Sequence, residues 1–418
     1  MTTFLCLSLV VVVVCFLGLS EAQKQVPAMY VFGDSLVDVG NNNHLKISVA
    51  KANFPHNGVD YAGDKPTGRF SNGKNFADFI AQKQVPAMYV FGDSLVDVGN
   101  NNHLKISVAK ANFPHNGVDY AGDKPTGRFS NGKNFADFIA EKAGLVASPP
   151  PYLSFVSNKS NEAFQSPVLA LPLEVLASSM AQMNAIQSLP LPKQVNYYST
   201  VYEDLVQQLG SADAQNHLSK SLFTVVVGSN DLFDYFKSGS DVSKESTPQQ
   251  YVDSMLTALK QELKSLHDFG GRKYVIAGIG AVGCCPSQRN QNKNDECHEE
   301  ENQMALKYNE GLKSMLKGLK SELKGDMNYS YVDVYASLIA SFGPPPILNG
   351  CYSYGLNWNL KAQVPCVPVA TYCSNRSDHV FWDLYHPTEA TARILVDIVF
   401  GDSQQSGVPM NIEQLIAA

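Results

Sequence analysis

The sequence has no long run of basic residues, and acidic side chains outnumber basic ones by 39 to 32. A protein that binds nucleic acid usually presents a basic patch or stripe, so no nucleic acid partner is expected here. The spacing of the cysteines fits no zinc motif, and no metal site is expected. What remains is a chain of 418 residues with 44% hydrophobic content, enough for one large α/β domain.

The N-terminus carries an almost wholly apolar run, from Leu5 to Leu19. This run is short for a membrane span, although a membrane anchor is the alternative. Ser20 and Ala22 suit a small-x-small cleavage site before Gln23. We therefore predict that residues 1–22 are a secretory signal peptide, that the mature protein is extracellular, and that it has no stable membrane span.

The cysteines fit secretion. Six remain after the predicted cleavage, at Cys284, Cys285, Cys297, Cys351, Cys366 and Cys373. An even number in a secreted chain suggests disulfides. Cys285 and Cys297 could close the polar loop 288–296, and Cys366 and Cys373 could close another; the alternative is buried free thiols. Glycosylation triplets occur at Asn158, Asn328 and Asn375.

Residues 23–81 and 82–140 are identical. The repeats of solenoids and propellers diverge, and at least three are needed to bury a continuous core. An identical pair instead suggests a recent tandem duplication or an error in assembling the gene. The second copy continues directly into the end of a predicted helix, Asn134 to Leu145, whereas the first is cut off at Ala81. We therefore expect a duplicated segment, 23–81, followed by one folded domain over 82–418.

Strands and helices alternate along that domain. Strands are predicted at Ala87–Phe91, Leu222–Val227, Lys273–Gly278 and Tyr329–Tyr335, and helices at Asn134–Leu145, Pro248–Leu266, Asn302–Leu323 and Thr388–Phe400, the last started by Pro387. This alternation indicates a parallel sheet covered on both faces. In such sheets the site lies at the carboxyl ends of the strands, where Ser94 and Asn230 stand.

Ser94 has distant residues that complement its chemistry. A serine nucleophile needs a base to take its proton, and a neutral imidazole needs an acid to hold its tautomer. Asp383 stands three residues before His386, and the two residues supply the acid and the base respectively. The first copy offers Ser35 as an alternative nucleophile. The plainer interpretation is that Gly-Asp-Ser is only a turn with local caps, and that His386 is part of an ordinary helix start.

Five short blocks then resemble one family. Gly-Asp-Ser-Leu (92–95), Thr-Gly-Arg-Phe-Ser-Asn-Gly (126–132), Gly-Ser-Asn-Asp-Leu (228–232), Gly-Cys-Cys-Pro (283–286) and Asp-Leu-Tyr-His-Pro (383–387) are similar to the blocks of the plant GDSL esterase/lipases, members of the SGNH hydrolase superfamily. The resemblance implies a flavodoxin-like three-layer α/β/α fold with a central parallel sheet. It also implies hydrolysis of carboxylic esters, of lipids or acylated cell-wall material, through an acyl-enzyme.

The resemblance assigns roles to five residues. Ser94 would be the nucleophile, His386 the general base, and Asp383 the group that orients it. The backbone N–H groups of Ser94 and Gly127 and the amide of Asn230 would form the oxyanion hole, which such chemistry requires. All these groups are side chains or backbone, so no cofactor is implied. The Gly-x-Ser-x-Gly elbow of the α/β-hydrolases is absent, which favours the SGNH type.

Alternatives remain open at the oxyanion hole and for the function. Gly132 competes with Gly127, which could merely punctuate a loop, and Asn230 could be a helix N-cap. The expected partner is a small-molecule or lipid ester. The alternative function is a catalytically impaired member of the same fold, or the product of a mis-assembled gene.

Residues 171–179 depart from the family. There the family usually reads Phe-Ala-Ser-Gly-Gly-Ala-Gly-Ile-Phe, whereas this chain reads Leu-Pro-Leu-Glu-Val-Leu-Ala-Ser-Ser. With suitable synonymous codons, the family stretch read one nucleotide late translates to the second string without a mismatch. The hypothesis is that the chain is out of frame here and returns to frame near Asn184 to Leu189. We expect residues 165–185 to pack poorly or to lie on the surface.

Overall fold

The structure is a computed structural model. It describes residues 41–44, 51–57, 65–71, 85–104, 110–145, 148–158, 168–172, 189–292, 294–342, 352–353, 371–401 and 407–418. The chain divides into two compact units, Met1–Gln82 and Lys83–Ala418. Residues 1–22, Ser35 and most of the first copy lie outside the described residues. The same Asn-Asn-Asn-His sequence forms a 3₁₀ turn in each copy, at Asn41–His44 and Asn100–His103.

The second unit alternates strands and helices. Its strands are β1 (Met88–Gly92), β2 (Val168–Pro172), β3 (Leu222–Val226), β4 (Lys273–Ala277), β5 (Asn328–Val332), β6 (Tyr352–Ser353) and β7 (Thr371–Tyr372). Its helices are α1 (Phe135–Lys142), α2 (Tyr152–Asn158), α3 (Leu191–Leu209), α4 (Ser211–Lys220), α5 (Ser229–Phe236), α6 (Asp241–Glu245), α7 (Pro248–Asp268), α8 (Pro286–Arg289), α9 (Glu299–Glu322), α10 (Val334–Phe342), α11 (Glu389–Phe400) and α12 (Ile412–Ala417).

Five strands form one parallel sheet in the order β2-β1-β3-β4-β5. This is the strand order of the flavodoxin-like folds, in which ligands bind where the order reverses, beside the first strand. The end of β1, Gly92, lies between Pro172 of β2 and Val226 of β3. Two further short strands, β6 and β7, pair antiparallel. The predicted parallel α/β architecture is confirmed.

Alternate residues of each central strand enter different cores. Tyr89 and Phe91 of β1 pack into one hydrophobic cluster, together with side chains of α3, α7 and α9. Met88 and Val90 pack into a second cluster, with side chains of α1, α11 and α12. Successive side chains of a strand point to opposite faces, so this division places helices on both sides of the sheet. The three-layer arrangement follows directly.

Two helices have side-chain N-caps that satisfy their first free backbone N–H groups. Thr247 accepts a hydrogen bond from Gln250 N and caps α7, and Asn134 caps α1 in the same manner. The prediction that Pro387 starts the last helix is wrong. Thr388 is the N-cap of α11, and its hydroxyl accepts from the backbone N–H of Thr391.

The predicted strand from Tyr329 to Tyr335 is too long. It ends at Val332, and the next residues form α10 instead. Asp333 explains the change, because its carboxylate accepts a hydrogen bond from Ala336 N and thereby starts a helix. The helix predicted from Asn302 begins three residues earlier, at Glu299.

Strand β2 was not predicted from the sequence. It pairs with β1 over all five of its residues, and among the strands that the structure describes it has a neighbour on one side only. Proline is tolerated on edge strands, which fits Pro172 at its end. Part of the stretch that departs from the family therefore has a regular place in the sheet. Residues 173–188, which carry the rest of that stretch, lie outside the described residues.

The predicted pairing of Cys285 with Cys297 is wrong. Cys284 forms the disulfide with Cys297, and Cys285 is a buried free thiol. The backbone N–H of His298 donates to Gly283 O, which brings the second cysteine against Cys284. The Cys285 sulfur instead faces the carbonyl of Tyr385. Cys373 is disulfide-bonded.

Two features are absent from the described part of the chain. No helix there is long and apolar enough to cross a membrane. Nor does that part contain a group of three or more His, Cys, Asp and Glu side chains able to hold a metal ion.

Candidate active site

Ser94 lies in a tight turn at the carboxyl end of β1. The turn closes through a hydrogen bond from Val96 N to Asp93 O and another from Leu95 N to the Asp93 carboxylate. Only glycine fits at the preceding position, because a Cβ on Gly92 would stand 2.5 Å from the Val226 carbonyl oxygen. The chain can therefore leave the sheet sharply and present the serine at its edge.

Asp383 and His386 lie in a closed loop before α11. The backbone N–H of Trp382 donates to His386 O at 2.6 Å, and Phe381 and Pro387 form an isolated antiparallel bridge. Within the loop, one oxygen of Asp383 accepts the N–H groups of Tyr385 and His386, each at 2.9 Å. The acid therefore holds the loop as well as facing the histidine.

The structure brings the three predicted catalytic residues together. His386 Nε2 lies 2.7 Å from Ser94 Oγ, and His386 Nδ1 lies 2.8 Å from Asp383 Oδ2. His386 and Asp383 are largely buried, with side-chain exposures of 13% and 9%. This chain of contacts can move a proton from the hydroxyl to the imidazole and stabilise the resulting imidazolium.

The pKa values of two carboxylates near the histidine are shifted in opposite directions. Burial by itself would raise the pKa of Asp383, but the charge of His386 and its hydrogen bonds outweigh this, and the pKa lies below its ordinary value. Asp93 is buried with fewer compensating partners, and burial raises its pKa to about 6. Asp383 is therefore the acid that stays ionised beside the imidazole.

Phe129 stacks on the imidazole and was not singled out from the sequence. Its ring centroid lies 4.8 Å from that of His386, with an interplanar angle of 29°. The signal was available, because Phe129 belongs to the block Thr-Gly-Arg-Phe-Ser-Asn-Gly. Periodicity could not reveal it, since the two residues are far apart in the chain. The stacking limits rotation of the imidazole out of line with Ser94.

A second set of contacts joins the loop that carries His386 to the segment that follows Ser94. The indole N–H of Trp382 donates to the buried Asn116 side chain at 3.1 Å. Arg376 forms a two-pronged ion pair with Asp119, at 2.5 and 2.6 Å. Asn131 donates to that same carboxylate and accepts from the backbone N–H at the start of α11. The loop that follows Ser94 in the chain therefore positions the loop that carries His386.

The two remaining predicted site residues occupy different positions. Asn230 lies in the first turn of α5, at the carboxyl end of β3 and so beside the Ser94 turn. It is not the N-cap, a position that Gly228 takes. Gly127 has φ of +91° and packs against Gly99 and the Asn102 side chain. The competing candidate, Gly132, packs against the Glu389 side chain.

Comparison with known proteins gives a consistent result. The family model described as GDSL-like Lipase/Acylhydrolase matches residues 88–399. The GDSL esterase/lipase At5g55050 of Arabidopsis thaliana is 46% identical over 346 residues, covering 80% of this chain and 90% of the relative. The GDSL esterase/lipase At3g50400 of the same plant is 35% identical, covering 80% and 92%.

A solved acetylxylan esterase from Geobacillus stearothermophilus aligns over 75% of this chain and 91% of its own, with 9% identity and a TM-score of 0.32. The family match spans the sheet, the Ser94 turn and the His386 loop. The chain belongs to the GDSL-like lipase/acylhydrolase family, and with it to the carboxylic ester hydrolases.

Proposed function

We propose that this protein is a secreted serine esterase or lipase that works through an acyl-enzyme, with Ser94, His386 and Asp383 as its catalytic residues. The observation that carries the proposal is the 2.7 Å contact between His386 Nε2 and Ser94 Oγ, with Asp383 at the other ring nitrogen. The substrate is a small-molecule or lipid ester, and the groups that act on it all belong to the chain.

The reaction proceeds in two halves. Ser94 Oγ attacks the ester carbonyl carbon while His386 Nε2 takes the hydroxyl proton. The tetrahedral oxyanion collapses, the C–O bond to the alcohol breaks, and the imidazolium gives its proton to the leaving alkoxide. Water then loses a proton to His386 and attacks the acyl-Ser94 carbonyl. Collapse releases the carboxylic acid and returns the proton to Ser94.

The oxyanion requires preorganised donors, and we assign the backbone N–H groups of Ser94 and Gly127 and the side-chain amide of Asn230. The position of Asn230 at the end of β3 supports its assignment. An Asn230→Ala variant should lose roughly 10²–10³-fold in kcat, the usual cost of one such donor. A loss below tenfold would remove Asn230 from the set.

The two copies of the repeated segment supply matched serines, and this allows a test of which one is the nucleophile. A fluorophosphonate should label the full chain, and the label should disappear in Ser94→Ala and persist in the matched variant Ser35→Ala. The reasoning is that the segment around Ser94 continues into the helix that packs on its sheet. Labelling that persists in Ser94→Ala and disappears in Ser35→Ala would assign the role to the first copy.

Secretion has its own support. Residues 1–22 have the composition of a signal peptide, and the Cys284–Cys297 disulfide suits an oxidising compartment. Expression in a secreting host should yield an extracellular product that begins at Gln23. Retention of an uncleaved chain in the membrane fraction would contradict this.

One observation favours a second candidate, a catalytically impaired member of the family. Residues 171–179 lack the glycine-rich sequence that the family carries there, and the strand that includes Leu171 and Pro172 ends beside Gly92. The altered stretch therefore begins next to the Ser94 turn. Turnover of a short-chain nitrophenyl ester distinguishes the candidates, because an impaired protein would bind the ester without hydrolysing it.

A further inference from the structure

A pocket far from Ser94 is lined by lysines. It lies between the second half of α9, strand β5 and the segment 407–409, has a volume of about 700 Å³, and is lined by Lys313, Lys317, Lys320, Lys324, Tyr329 and Val408. We call these residues the lysine pocket. The net charge of the chain is −7, so a concave surface lined by four lysines runs against its overall charge.

The walls of the pocket are regular structure. Three of the lysines, Lys313, Lys317 and Lys320, stand at spacings of four and three, which places them on one face of α9 over roughly 10 Å of helix. Lys324 follows two residues after that helix ends. The opposite wall is held by two hydrogen bonds between the backbones of Tyr331 and Val408, at 2.9 and 3.0 Å. The shape therefore does not depend on a free loop.

The positive charge of the pocket is only partly compensated. Lys313 pairs with Glu310 at 2.6 Å and lies 3.9 Å from Asp333, and Lys320 donates to the Asn328 amide oxygen. Within the described part of the chain, no carboxylate lies within ion-pair distance of Lys317 or Lys324. Like charges three or four residues apart destabilise a helix by a few tenths of a kcal/mol per pair. Repulsion within this stripe of lysines therefore destabilises α9, and a bound anion would reduce that repulsion.

The pocket is separate from the ester-hydrolysing site. Ser94 follows β1, and β5 is three strand positions away in the sheet, roughly 14 Å. The second half of α9 approaches the amino end of β5, since Lys320 reaches Asn328 at the start of that strand.

We propose that the lysine pocket binds a linear polysaccharide that carries regularly spaced carboxylates. A row of ammonium groups along a groove complements a row of carboxylates along a polymer. A flat bilayer could not bring several headgroups into a concave pocket. A duplex nucleic acid, with a phosphate charge about every 1.7 Å, would extend over the rest of an acidic surface. Binding there would hold the enzyme on an acidic polymer while Ser94 stays accessible.

The experiment measures binding of the full chain to polygalacturonate, with neutral dextran and anionic phospholipid vesicles as comparators. The double variant Lys317→Gln/Lys324→Gln should bind polygalacturonate roughly five- to tenfold more weakly, the loss expected for two exposed ion contacts. Added salt should weaken the wild-type binding, because exposed charges are screened. Hydrolysis of a small soluble ester should be unchanged, which separates this proposal from the proposed catalytic site.

The matched control is Lys307→Gln. Lys307 is exposed on the same helix, roughly 110° around the axis from the lysine stripe, and its replacement removes the same charge. It should leave the polygalacturonate affinity unchanged. Equal weakening by Lys307→Gln, equal binding of dextran, or absence of polygalacturonate binding would overturn the proposal. So would binding to vesicles alone that depends on Lys317 and Lys324, which would mean a membrane surface instead.

Discussion

Replacing Asp383 by asparagine would test the proposed role of the acid without disturbing its loop. One oxygen of Asp383 accepts the backbone N–H groups of Tyr385 and His386 and lies 2.9 Å from His386 Nδ1, and the other oxygen lies 2.8 Å from the same nitrogen. An asparagine that keeps its oxygen on the two backbone donors presents its NH₂ group to Nδ1 in place of the second oxygen. The ring nitrogen can accept from that group only when it carries no proton, so the asparagine favours the tautomer with the imidazole proton on Nε2.

That tautomer blocks the first step of the reaction. Nε2 faces Ser94 Oγ at 2.7 Å, and once protonated it cannot take the serine proton. An equivalent replacement in another Ser-His-Asp triad lowers kcat about 10⁴-fold. We expect kcat to fall roughly 10³–10⁴-fold here, which corresponds to an increase of about 4–5.5 kcal/mol in activation free energy. The melting temperature should change little, because the two backbone hydrogen bonds remain.

The assay is steady-state hydrolysis of a short-chain nitrophenyl ester by wild type and Asp383→Asn, with a thermal melt of both. The matched control is Asp378→Asn, an exposed acid on the same segment whose charge faces no imidazole nitrogen of His386. A variant of Asp383 that keeps more than a tenth of the wild-type kcat would refute the tautomer argument. A variant that loses activity only because it melts earlier would refute the claim that the loop survives.

Three further outcomes are expected. Deleting residues 23–81 should leave a folded enzyme with undiminished activity, because the second copy is the one continuous with α1; a deleted chain that fails to fold while the full chain folds would contradict this. Burial raises the pKa of Asp93 to about 6 from 3.8, so its carboxylate destabilises the fold progressively as pH rises through that window and fully above it. Asp93→Asn should therefore raise the unfolding free energy at pH 8 by about 1–3 kcal/mol, with no gain below pH ~4, and a gain that does not vary with pH would count against the burial argument. The transcript should encode a glycine-rich stretch in the neighbouring frame at residues 171–179, and a repaired chain should be the more active enzyme; codons that encode no such stretch end that hypothesis.

Much of the architecture could be read from local patterns. Short buried runs such as Leu222–Val226 and Lys273–Ala277 lie between amphipathic helices, and that alternation is enough to indicate a parallel sheet. Caps follow the same logic, since Thr247 and its partner Gln250 are three residues apart. These features depend on neighbours in the chain, so the order of residues is sufficient information.

The predicted secondary structure is wrong where two local sequence signals favour different elements. The run from Tyr329 looks like one long strand, yet the Asp333 side chain bonds a backbone N–H three residues ahead and starts a helix. The edge strand β2 went unnoticed because it needs β1 as a partner before its backbone hydrogen bonds can form. Hydrophobic pattern alone does not reveal which segment fills such an edge.

The order of residues is enough to reveal the chemistry available to this protein: a serine at a strand end, an acid and a histidine three residues apart, and the blocks that carry the family. Which of these groups meet depends on the folded chain. Arg376 reaches Asp119 across a separation of 257 residues, and Phe129 lies flat on His386. Cys284 rather than Cys285 faces Cys297, because adjacent side chains point in different directions once the backbone is folded. Such contacts depend on the packing of distant segments, which local sequence patterns do not specify.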